Sequence, residues 1–394
     1  MDEKKLLMTL LRNQVCGCKH QLAHMPAEQL EKLYALAKRH DLAHIAGQEL
    51  ATQKLLGDDE ISQKLKDSAK QAVYRYVLLS HELGQICRVL ESASIAFIPL
   101  KGSVLRDMYP TPWMRTSCDI DILVHESILE QATQLLAEKL EYTIGEKWGH
   151  DRSLYSPSGV HLELHYAVIE DTQVVGSQVV LDHFWDSATP CAGYQFHHRV
   201  SDEMFYFFHI AHMAKHVHSG GCGIRPFLDL WILNHKVEHS KENRNALLRE
   251  GGLLDFAIAA EKLSERWFSE QHDDDAYTDL FESYILDGGV YGTLKNSVFM
   301  RRANTHGVQY ILSRIFVNKD FLTLMFPVLE KHPWLEPFCQ VARWIKLLFD
   351  GRFRVAACEL QVNANISQAE TQAIQTLQKY LGMETDSNQR SGSQ

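Results

Sequence analysis

The spacing of apolar positions along the chain changes twice. Over residues 1–91 apolar side chains recur every three or four residues, the period of helices that bury one face. The first twelve residues predict an amphipathic helix. A second helix runs from Pro26, a residue suited to a first turn, to about Ala37. Gly57-Asp58-Asp59-Glu60 breaks the chain and puts acids where the next helix dipole favours them. That helix, from Ile61 to about Glu91, is long and mixed, with Lys64, Lys66, Lys70 and Arg75 on a polar face. From Ser92 the pattern shortens to β-type runs, Ile95–Leu100, Asp119–Val124, Arg152–Ser156 and Val160–Tyr166, with a helix over Ser127–Leu140. The turn Pro157-Ser158-Gly159 makes the last two runs a hairpin. After about Val200 the helical period returns, first in Met204–Val217, rich in aromatic and histidine residues. A glycine-rich break at Ser219–Gly223 follows, then Ile224–His235 and further helices to about Gly382. The pattern predicts an α+β protein: a small mixed β-sheet domain (92–200) flanked by an N-terminal helical region (1–91) and a C-terminal helical domain (201–382). Residues 383–394 form a polar tail expected to be disordered.

Alternation within the short runs points to chemistry. In a strand, Asp119 and Asp121 share one face while Ile120 and Ile122 take the other. Two carboxylates side by side repel each other unless a cation lies between them, and their hard oxygen donors suit Mg2+, with Mn2+ as a substitute. His161, Glu163 and His165 also share a face. If their strand lies beside the first, Glu163 completes a three-carboxylate cluster able to hold one or two ions about 3.5–4 Å apart. Upstream, Gly102 permits close approach of a phosphate, and Ser103 opens a short helix whose free N–H groups face an anion. Lys101 and Arg115 are nearby cations. Each piece alone is common, and an Asp-x-Asp is more often a solvated turn pair. The ordered set is much more specific.

Composition narrows the reading. The chain has 394 residues and a net charge of −10, which argues against a nucleic-acid coating protein but permits a local basic pocket. No apolar run reaches the ~18 residues of a membrane span, and no signal peptide is evident. Eight cysteines without framework spacing suggest reduced thiols in a cytoplasmic protein. Cys16-Gly17-Cys18, with His20 and His24, lacks the usual zinc-knuckle spacing.

Strand, Gly-Ser, Asp-x-Asp and a later strand carboxylate, in that order, resemble the nucleotidyltransferases of the DNA polymerase β type. More closely, Leu100-Lys101-Gly102, Tyr109-Pro110, Arg115, Asp119–Val124 and Glu163-Leu164-His165 resemble a poorly characterised bacterial nucleotidyltransferase family. That family has Asp-Leu-His where this chain has Glu-Leu-His. The resemblance extends through Lys215-His216, Gly223–Leu230 and Pro333–Arg343, and is least distinct over the first 90 residues. It implies a polymerase-β-like fold and Mg2+-dependent transfer of a nucleoside monophosphate from a triphosphate such as ATP to a hydroxyl. The acceptor is left open between small molecule, protein side chain and RNA end. Asp119 and Asp121 would hold the metal ions, and Glu163 a second ion or the proton of the attacking hydroxyl. Related toxins place a lysine and an arginine–aspartate pair opposite the site, and Lys215, Arg225 and Asp229 stand in that order. The i, i+4 spacing of Arg225 and Asp229 equally fits a surface ion pair. His209, His212 and His216 share a helix face and read as packing or substrate contacts rather than metal ligands. Phe205, Phe207 and Phe208 read as core, and Arg343, Lys346, Arg352 and Arg354 as a solvated face that RNA could meet. Two alternatives stand beside the enzyme: a binding protein of this fold without turnover, and a metal-dependent phosphohydrolase using His161 or His165.

Overall fold

A computed structural model describes residues 2–168, 176–269, 275–302, 307–349 and 353–383. The expected tail beyond Met383 and the cation Arg352 lie outside the described residues. The N-terminal third is helical: α1 (Glu3–Leu11), α2 (Ala27–Arg39), α3 (Ala43–Thr52) and α4 (Glu60–Ser92). Asp59 caps α4 by accepting the Ser62 amide at 3.0 Å, so the acidic run that breaks the sequence starts the helix. On the polar face of α4, Lys64 and Lys70 pair at the surface with Glu60 and Asp67, and Lys66 donates to the Gly57 carbonyl. Arg75 reaches the strand region, 3.8 Å from the Cys118 sulfur.

The sheet has five strands: β1 (Phe97–Pro99), β2 (Asp119–Val124), β3 (Thr143–Trp148), β4 (Asp151–Tyr155) and β5 (His161–His165). Their order is β1-β2-β5-β4-β3, and of its pairs that of β2 with β5 is parallel while the others are antiparallel. The short α5 (Gly102–Leu105) follows β1, and α6 (Leu129–Leu140) follows β2. The sequence pattern misses β3. Thr143-Ile144-Gly145-Glu146-Lys147 has no clean alternation, and its pairing with β4 shifts between Ile144 and Lys147, as an edge strand permits.

One face of the sheet is apolar. Ile120, Ile122, Leu162 and Leu164 pack there with Ile86 and Leu90 of α4 and Leu136 of α6. The other face carries the carboxylates and turns toward the larger core. Leu123, two residues past Asp121 and on its side of the strand, belongs to a cluster that also holds Leu7, Ala46, Phe207, Leu228 and Leu377. After α7 (Ser177–Leu181) come α8 (Asp202–His218), capped by the Ser201 hydroxyl, and α9 (Arg225–Lys236). Phe205, Phe207 and Phe208 are buried in α8, as their spacing predicts. The glycine-rich break after α8 packs backbone to backbone: at Gly292 (φ +71°) an added Cβ would stand 2.5 Å from the Gly220 carbonyl carbon. Further helices run to Gln368–Tyr380.

One surface assignment is corrected. Arg343 is buried, and its guanidinium donates to the carbonyls of Arg314 (3.0 Å) and Ile315 (2.8 Å) at the end of the helix Gly307–Ile315. A cation that caps a helix C-terminus has the same sequence spacing as one that faces solvent.

Candidate active site

Parallel pairing of β2 with β5 sets Asp119 beside His161, Asp121 beside Glu163 and Leu123 beside His165. Alternation then brings Asp119, Asp121, Glu163, His161 and His165 to one face. Ligand atoms of Asp119, His161 and Glu163 lie within 4.8 Å of one another, as do those of Asp121, Glu163 and His165. Glu163 thus shares a group with each aspartate, and each group is completed by a histidine rather than by the other aspartate.

Their environments differ. Asp121 is buried, and its Oδ1 accepts hydrogen bonds from Lys101 Nζ at 2.7 Å and His165 Nε2 at 3.0 Å. Burial would push its carboxyl up, but Lys101 and His165 outweigh it and hold the group well below the usual range. Asp119 shifts the other way: burial, then the charges of Asp121 and Glu163, raise it. Glu163 is lowered, chiefly by the hydrogen bond from His165, whose Nε2 is 3.4 Å from Glu163 Oε2. Burial works against charge on His165, yet the bonds to Asp121 and Glu163 raise its pKa overall. His165 is therefore a clamp between two carboxylates. The motif order does not reveal this, because it depends on strand register.

Lys101 sits where the first sequence motif ends, and its ammonium faces the carboxylates. Its backbone is at φ +45°, a left-handed value uncommon for a side chain with a Cβ. Gly102 serves packing: an added Cβ would lie 3.1 Å from Ser117 Cβ, and the Ser117 hydroxyl is held by Arg106, while the Ser103 and Val104 amides expected to be free donate to the Leu100 and Lys101 carbonyls. Ser103 is buried in the first turn of α5, and its hydroxyl finds no partner among the described residues.

The helices close the site from the other side. A small pocket is lined by Lys101, His150, His165, Phe208, His212 and Lys215, so α8 presents Lys215 and His212 to the carboxylate face. His212 and His216 bring their Nε2 atoms to 3.2 Å, one donating to the other. Burial, with the charges of Lys101 and Lys215, keeps both neutral: His212 falls well below its ordinary pKa and His216 to about 4. His209 instead bonds the Pro226 carbonyl at 3.0 Å. His150, carried by the β3–β4 turn, stacks on His165 with ring centroids 5.6 Å apart, and no motif marks it in the sequence.

Arg115, Arg225 and Asp229 are engaged with one another or with neighbours, although the Arg115 guanidinium also lies 3.6 Å from where a Cβ on Gly102 would stand. Arg115 Nε reaches both oxygens of Asp229 (2.8 and 3.0 Å), and the buried Tyr109 hydroxyl donates to Asp229 Oδ1 at 2.7 Å. Arg225 reaches Asp41 Oδ2 at 2.8 Å, and the Thr116 hydroxyl donates to the same oxygen. Arg225 and Asp229 thus have separate partners rather than forming a surface pair. Both ties fasten the segment leading into β2.

A pH dependence follows from the buried histidines. His40, His44, His209, His212 and His216 all have folded pKa values lowered by burial, His40 and His216 to about 4. The unfolded chain therefore takes up more protons below the ordinary histidine pKa, and stability falls with acidification from about pH 6.5 toward about pH 4. The melting temperature is expected several degrees lower at about pH 5 than at about pH 7.5 by differential scanning calorimetry, and a flat profile would contradict this assignment.

Among the described residues no helix is long and apolar enough to cross a membrane. Residues 26–269, well over half of the chain, match the family described as "Uncharacterised nucleotidyltransferase". No curated protein and no solved structure matches the chain.

Proposed function

The chain belongs to this family of uncharacterised nucleotidyltransferases, and from that premise we propose a divalent-metal-dependent transfer of a nucleoside monophosphate from a nucleoside triphosphate to a hydroxyl acceptor. The observation that carries the proposal is the register that sets Asp121 beside Glu163 with Asp119 on the same face. Their hard oxygen donors fit Mg2+ or Mn2+, and Asp119, Asp121 and Glu163 would hold the ion. Once bound, it supplies charge neutralisation to the triphosphate.

The chain's own groups would do the rest. The acceptor oxygen attacks the α-phosphorus, the bond to the β-phosphate oxygen breaks, and pyrophosphate leaves with that electron pair. Glu163, partly exposed and kept ionised by His165, would serve either as a ligand to a second ion or as the acceptor of the hydroxyl proton. His165 positions Asp121 and Glu163, and Lys101 and Lys215, which both line the pocket, offset phosphate charge. Alignment and charge neutralisation carry most of such a reaction. Eight free cysteines fit a reducing cytoplasm.

The test is incubation of the protein with Mg2+, labelled nucleoside triphosphates and cell extract as the acceptor source. Label transfer with pyrophosphate release is expected, and chelation by EDTA should return it to background. Transfer no greater than that of an Asp119→Ala/Asp121→Ala variant would sink the enzyme reading. Saturable nucleotide binding without turnover would leave a binding protein of the same fold. Release of free nucleotide to water would favour the hydrolase.

A further inference from the structure

The helix Glu336–Phe349 is turned inside out. Beside the buried Cys339, three polar groups face inward: Gln340 donates to the Val317 carbonyl at 2.7 Å, and Arg343 and the Trp344 indole donate to the carbonyls ending the helix Gly307–Ile315, while Lys346 stays exposed. Those bonds fix the rotation of the helix. The opposite face therefore looks outward with Phe338 (67% exposed), Val341 (47%), Ile345 (50%) and Leu348 (61%), at i, i+3, i+7 and i+10. Phe349 (86%) extends the stripe at one end. Phe316, in contact with the Trp344 ring, widens it. A surface helix of a monomer shows the reverse arrangement.

We propose that this stripe is a self-association surface, on which a second copy of the chain lays the same helix antiparallel about a two-fold axis. An axis at the level of residue 343 sets Val341 against Ile345 and Phe338 against Leu348 of the second copy, a self-complementary isologous contact. Scaled by their exposure, the three phenylalanines offer about 300–500 Å², and Val341, Ile345 and Leu348 bring the stripe toward the roughly 800 Å² per partner of a standard interface. The largest apolar patch of an ordinary monomer is about 300–600 Å².

Other occupants fit less well. Residues 384–394 offer no apolar side chain to fill the stripe. An anionic lipid surface would meet a chain of net charge −10. The helix lies outside the residues that match the family, so this proposal stands apart from the catalytic reading.

Sedimentation equilibrium of the full chain from about 1 to 100 μM is the test. Wild type is expected to populate a dimer, and Ile345→Glu to weaken association at least about a hundredfold while the far-UV circular dichroism is unchanged. Leu348→Glu serves as an independent variant should Ile345→Glu fray the helix. Mixing Ile345→Glu with Val341→Lys, which meet across the proposed axis, should restore a mixed dimer. Wild type that stays monomeric over that range overturns the proposal, including one that binds vesicles or a different protein through the stripe. A dimer that survives both glutamate substitutions overturns it too.

Discussion

An Asp121→Asn variant is expected to lose label transfer by on the order of a thousandfold or more, since asparagine keeps the shape but not the charge that would hold a metal ion. The substitution also strips the counter-charge from two cations. Lys101 and His165 both donate to Oδ1 of Asp121, and Lys101 has only 26% of its side chain exposed. Thermal unfolding should therefore accompany the assay: the loss of transfer must appear at temperatures where the variant is still folded. Transfer within about tenfold of wild type would remove Asp121 from the chemistry. The pH signs of the cluster are opposed. Asp121 is depressed, so its stabilisation is present above the ordinary carboxylate range and lost as pH falls toward its folded value. His165 is raised, so its contribution is complete below the ordinary histidine pKa and lost as pH rises through its folded value. The clamp is strongest between about pH 4 and about pH 6.5, where both groups are charged in either state.

Asp229→Ala is expected to cost about 3–5 kcal/mol of stability, the typical penalty for breaking a buried pair by removing one member. It leaves the Arg115 guanidinium, 9% exposed, without its carboxylate, and the buried Tyr109 hydroxyl without its acceptor. Chemical denaturation against wild type measures the effect, with triphosphate affinity followed in parallel. A variant with unchanged stability but affinity reduced more than about tenfold would return Asp229 to direct substrate contact. Arg115→Ala should show the same order of stability loss for the mirror reason: an unpaired buried carboxylate.

The carboxylate face was legible in the sequence because a strand's two-residue period needs no tertiary knowledge. Asp119 and Asp121, then Glu163 between His161 and His165, could be placed on faces from spacing alone. Which strand neighbours which could only be supposed, and register supplied it. The same limit hid His165 as a clamp and His150 as a wall of the pocket. Charged residues on helices were less legible. Arg225, Asp229 and Arg343 have spacings compatible with a solvated face, yet all three are largely enclosed and hold partners far away in sequence. Helical periodicity states which residues share a face, not whether that face looks inward. Strand β3 escaped because an irregular edge strand has no alternation to detect.

The ties at Tyr109, Arg115 and Thr116 bear on how the carboxylate-bearing sheet can be handled. Asp41 lies just past the end of α2, while Asp229 and Arg225 come from α9, so the loop entering β2 is moored to helices on both sides of it in sequence. Excising residues 92–200 would cut every one of those moorings and leave Tyr109 and Thr116 without these acceptors and Arg115 without its carboxylate. The sheet is consequently not a transplantable cassette. Its carboxylate geometry is a property of the chain that surrounds it, and grafting it into another scaffold would require carrying Asp41, Arg225 and Asp229 along.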